Sequence, residues 1–160
     1  MGRINSDQPA LPLPPQDVVM PWMAWLKSHQ GEPFATGETP TAFNRMCFSH
    51  TDCPLGSKML AGCAAGACAA LELTGYKSPH NAAAISFKNY GTACELKPGC
   101  LVLIEHQTGG HHITFCDHIV SKVPLVVACL GANQSHRLQL SEYIFKSTGD
   151  KILATRWPSK

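Results

Sequence analysis

The chain has 160 residues, 44% of them hydrophobic and 15% charged, with a formal net charge of +2. That size suits one domain with a sizeable core. The small charge, with no stripe of Lys and Arg, argues against nucleic-acid binding, and no apolar stretch is long enough to span a bilayer.

Residues 1–16 are polar and then rich in proline (Pro9, Pro12, Pro14, Pro15), which predicts a flexible lead-in before a single domain over 17–160. No basic region followed by an apolar core opens the chain, so no secretory signal peptide is expected. Asp17 can cap a first helix with Pro21 in its first turn, and Trp22, Trp25 and Leu26 fall on one face of it. Gly31, Pro33 and Gly37 end that helix. Residues 42–47 read as a second helix capped by Thr41, and 49–56 as a loop.

Residues 60–75, rich in alanine and glycine, form the longest helical run and carry Cys63 and Cys68. The helix can start from a Ser57 cap or from a Gly62 cap. From Ser57, Cys63 lies more than a turn inside, where the helix dipole acts weakly. From Gly62 it is the first residue, and its amide can also serve an oxyanion. A helix N-terminus and a nearby imidazolium both lower a thiol pKa, which is what a cysteine nucleophile needs. Cys68 is deeper among alanines and reads as core.

Residues 81–89 read as a further helix stopped by Gly91. Beyond it the period changes to that of strands: 100–105, 112–117, 123–130, a short one at 138–140, and 151–157. Helices first and an antiparallel meander after them is the α+β pattern. In the second strand Ile113 and Phe115 point one way, while His112, Thr114 and Cys116 point the other. Thr114 is small enough to leave room beside His112, which makes His112 the candidate base and leaves His111 to pack or face solvent. A turn near Ser121 and Lys122 brings Asn133 and Gln134 beside His112 as candidate orienting groups, Asn133 the first choice and Gln134 the alternative.

There are eight cysteines. Cys47 with Cys53, and Cys94 with Cys100, share one spacing across loops, so each pair can close a small disulfide in an oxidising space. Otherwise these are buried thiols. No Cys-x-x-Cys pair and no helical His pair exists, so a metal-binding module would need scattered ligands.

Taken together, several pieces resemble the NlpC/P60-like, CHAP-related cysteine peptidases, in particular a small phage-type and effector-type branch of peptidoglycan hydrolases. They are Pro21-Trp22, Gly31-Glu32, Cys63-Ala64-Ala65, Thr74-Gly75-Tyr76, Asn89-Tyr90-Gly91 and Lys97-Pro98-Gly99. Gly110-His111-His112-Ile113-Thr114-Phe115, Leu130-Gly131-Ala132-Asn133-Gln134-Ser135 and Arg156-Trp157-Pro158 complete the series. The resemblance implies a papain-like α+β fold, with N-terminal helices packed on an antiparallel sheet.

It also implies hydrolysis of an amide bond in peptidoglycan stem peptides, such as D-glutamyl–diaminopimelate, through a thioester acyl-enzyme and without a cofactor. Carried over by position, Cys63 is the nucleophile, His112 the general base and Asn133 the third member, with Gln134 behind it. Such an enzyme is made in the cytoplasm and acts in the periplasm or cell wall, reaching it by phage lysis or a secretion machine. An effector would also have a cognate immunity protein. The chain differs from the family at Ala61-Gly62, where an aromatic or acidic residue is usual, and in the run Ala64 to Ala67, where an aromatic is usual. These differences leave open a wall-binding domain of the same fold without the chemistry.

Overall fold

The computed structural model describes residues 19–34, 40–53 and 62–160. The proline-rich lead-in, the Asp17 cap and the Ser57 cap fall outside them. Helix α1 (Pro21–Ser28) starts with Pro21 after an extended Met20, where a missing N–H costs nothing. Trp22 and Leu26 are buried, and the Trp22 indole donates to the Gly99 carbonyl at 2.8 Å. Trp25 is half-buried and stacks on Phe43. Helix α2 (Ala42–Phe48) has the Thr41 cap, completed as a reciprocal box with Asn44.

Helix α3 (Cys63–Glu72) is buried from Cys63 to Leu71. A helix apolar on every side is a central helix, and α3 packs on α1, α2 and two strands of the sheet. Its small residues have a steric reason. A side chain at Gly66 would collide with Ala132, and one at Gly62 with the Phe34 ring. The alanine and glycine run therefore lets the helix lie close against the sheet.

The helix expected over 81–89 is only a 3-10 turn, Ala84–Phe87. The Asn81 side-chain oxygen accepts from the Ala83 amide at 2.8 Å, and Asp52 accepts from the Ala82 amide at 3.1 Å. These side-chain contacts hold the start of the segment in a turn.

Six antiparallel strands form one sheet in the order β1-β6-β2-β3-β4-β5. They are β1 (Thr92–Ala93), β2 (Leu101–Glu105), β3 (His111–Lys122), β4 (Leu125–Gln134), β5 (Arg137–Phe145) and β6 (Lys151–Trp157). The fold is α+β as expected. Only β2 to β5 form a meander, however, because β6 returns to pair with β2 and with the unforeseen β1. Strands β3 and β5 are longer than their apolar patterns suggested, since their far halves alternate half-buried and exposed residues. The β3–β4 turn lies at Val123-Pro124, two residues beyond its expected place, across a cis peptide bond.

Alternation along the strands makes two cores. Leu101, Leu103, Ile113 and Phe115 join the helices on one face. Cys100, Val102, Ile104, Cys116, Val127 and Cys129 pack on the other, with Tyr143 and Phe145.

Candidate active site

Cys63 is the first residue of α3, with Gly62 as its cap. The first intrahelical bond runs from the Gly66 amide to the Gly62 carbonyl at 2.9 Å. The amides of residues 63–65 therefore have no acceptor within the helix and gather at its N-terminus. Cys68 lies elsewhere: it is fully buried and its sulfur points to the Asn81 carbonyl at 3.7 Å.

The strand register explains how Cys63 meets the sheet. Cys116 donates to the Cys100 carbonyl at 2.8 Å, and His106 to the Gly110 carbonyl at 3.0 Å. Alternate β3 residues, His112 among them, thus bond to β2, and Ile113 turns its N–H toward the β4 side. The β3–β4 ladder begins only at Phe115 and Leu130, so that N–H has no strand partner there. It lies instead against the Cys63 sulfur, together with the amides of Cys63 and Ala64. The Cys63 sulfur thus lies against the backbone of Ile113, the residue that follows His112 in β3.

His112 is 8% exposed. Its Nε2 lies 3.2 Å from the Gln134 side-chain oxygen, which also accepts from the Thr114 hydroxyl at 2.6 Å. The Gln134 amide nitrogen donates to the carbonyls of Cys129 at 2.9 Å and Gln139 at 2.7 Å. With the amide so oriented, its oxygen can only accept, so Nε2 of His112 carries a proton and the neutral ring keeps its lone pair on Nδ1.

Gln134, not Asn133, is therefore the residue that touches the imidazole. Asn133 has φ of 57°, and the β4–β5 register shifts between Gly131 and Gln134. Its backbone makes the kink that turns Gln134 inward, and among the described residues its side chain makes no hydrogen bond. Gly131 is required beneath this network, because a side chain there would collide with the Thr114 hydroxyl.

Burial raises the Cys63 thiol, and the amides of Ile113, Ala64 and Cys63 offset only part of that. The lowered thiol pKa expected from a helix start is not found: desolvation exceeds the dipole. Burial likewise lowers His112, with Gln134 opposing and His106 adding to the fall. Burial thus favours the neutral form of each group, thiol and imidazole alike.

Sequence reading missed the second row of the site. Tyr143 lies 5.8 Å from the His112 ring and His106 lies 6.4 Å from it, ring centre to ring centre. Asp150 holds His106 at 3.1 Å. Tyr143 comes from the part of β5 beyond the short strand expected at 138–140, and Asp150 reaches His106 only because β6 returns to β2. His111 pairs with Glu105 at 3.5 Å, away from the base, as its strand phase suggested.

All eight cysteines are free, including the two pairs spaced so that each could bridge across a loop. Among the described residues no three metal-binding side chains converge, and no helix is long and apolar enough to cross a membrane. No family model, curated protein or solved structure matches the chain.

Proposed function

We propose that the protein is a cysteine amidase or endopeptidase that cleaves an amide bond in bacterial peptidoglycan stem peptides. The observation that supports this reading is a cysteine at the start of a helix with its sulfur against the Ile113 amide, next in the chain to a buried His112 whose Nε2 is held by Gln134. The choice of substrate rests on the motif resemblance.

In the reaction, Cys63 passes its proton to Nδ1 of His112 and the thiolate attacks the substrate carbonyl. The oxyanion faces the amides at the start of α3, where one such donor contributes about 2.7–4 kcal/mol. His112 returns the proton to the leaving amine, giving a thioester. A water deprotonated by His112 then hydrolyses the thioester, releasing a carboxylic acid and restoring the thiol. Gln134 holds Nε2–H throughout, so the ring neither turns nor changes tautomer. The scissile bond of first choice is D-glutamyl–diaminopimelate, and a phage lysis system or secretion machine delivers the enzyme. An effector would be paired with an immunity protein.

The test is mass spectrometry of fragments released from purified sacculi. The reading predicts new amino and carboxyl ends in stem peptides with intact glycan strands, and it fails if only glycan ends appear. One observation favours a second reading, a wall-binding domain without chemistry: burial raises the Cys63 thiol. That reading predicts sacculus binding with no fragments at all.

A further inference from the structure

We infer that the recess between the β2–β3 turn and the β5–β6 turn is a subsite for a carboxylate on the substrate peptide, with His106 and Lys151 as its anion-binding side chains. The inference rests on the peptide-hydrolase reading and adds the chemistry of the group flanking the scissile bond. The recess has a volume of about 280 Å³, and no apolar side chain lines it. A site of that size and lining takes a small polar group and offers nothing to an acyl chain or an aromatic ring.

The charges in the recess are arranged for an anion. Asp150 is already engaged: one oxygen lies 3.1 Å from Nδ1 of His106 and the other accepts the Gln107 amide at 3.0 Å. That contact orients the His106 ring and leaves Nε2 for a ligand. Glu105, on the rim, is paired with His111. Lys151 lines the recess, and among the described residues it makes no ion pair. Gln107, Ser147 and Thr148 add neutral donors. A cation and an oriented imidazole facing a small recess suit a carboxylate.

Position links the recess to the chemistry. The His106 ring stacks 6.4 Å from that of His112, so the recess opens one ring away from the base. A short peptide with its scissile amide at Cys63 would set a neighbouring residue there.

The probe is the tripeptide L-Ala–γ-D-Glu–diaminopimelate and its forms with single carboxylates converted to carboxamides. Binding is measured by calorimetry on the full-length Cys63→Ala protein, and cleavage on wild type. The subsite predicts that amidating one carboxylate weakens binding about tenfold, as expected for loss of a charge-assisted contact. It also predicts that Lys151→Gln erases this difference while the thermal melt is unchanged. If wild type cleaves acid and amide forms equally and Lys151→Gln alters neither binding nor KM, the subsite is wrong and the hydrolase reading stands. If wild type cleaves none of these peptides and nothing binds, both fail.

Discussion

Nε2 of His112 lies 3.2 Å from Oε1 of Gln134, and the Gln134 amide nitrogen is fixed by two backbone carbonyls, those of Cys129 and Gln139. One amide thus sets the tautomer of the imidazole. Replacing Gln134 with Ala frees the ring and strands the Thr114 hydroxyl. We expect kcat/KM to fall by about 10²-fold, the lower end of general-base contributions, with a stability loss of about 1–3 kcal/mol for the unsatisfied buried groups. Asn133→Gly should keep activity and gain up to about 1 kcal/mol, because a non-glycine residue at positive φ is strained. Paired rate assays and urea midpoints on the two variants separate the roles.

The pH dependence follows from two neutral groups. His112 is depressed below its ordinary 6.5 by burial first, with His106 adding to the fall. The base therefore stays neutral below pH 6.5, and the acid limb of kcat/KM should lie below that value. Stability shares the sign: it is full above 6.5 and is lost as pH falls through the depressed value, because the unfolded chain takes the proton first. A His106→Gln variant should move the acid limb upward, since it removes one of the groups that depress His112.

Burial also raises several thiols, Cys47 and Cys129 to about 12. Groups raised in the fold contribute stability that is full below their unfolded value of 9.0 and is lost as pH rises toward the folded one. The urea midpoint should drop between pH 8 and pH 10, and Cys129→Ala should reduce that drop.

Much of the site was legible because it rests on local rules. The phase of His112 against Ile113 and Phe115 follows from strand alternation. Thr41 marks a cap, and Gly62 before Cys63 offered one of two helix starts, the one the fold adopts. What was hidden depends on pairing between distant segments. Choosing Gln134 over Asn133 requires knowing that the chain kinks at Asn133, and a turn-prone residue followed by a polar one does not say which points inward. The direction of the Cys63 shift was misjudged because the helix start is visible in sequence, whereas the depth at which it is buried is not. His106 and Asp150 are 44 residues apart and meet only because β6 crosses back.

Close packing of α3 on β4 depends on Gly66, where a methyl group would collide with Ala132. Gly66→Ala should cost about 1–3 kcal/mol, the usual range for overpacking, despite alanine's better helix propensity. Since the helix must shift to relieve the collision, activity should fall as well. Thermal melts and rates on Gly66→Ala and Ala132→Gly, alone and combined, check this: the double variant should recover part of both losses.

The most direct test of the central claim compares amine release from sacculi by wild type, Cys63→Ala and Cys68→Ala at equal concentration, each shown to be folded by its thermal melt. The account predicts release by wild type and Cys68→Ala and none by Cys63→Ala. Equal release by wild type and Cys63→Ala, or loss only in a folded Cys68→Ala, would contradict it.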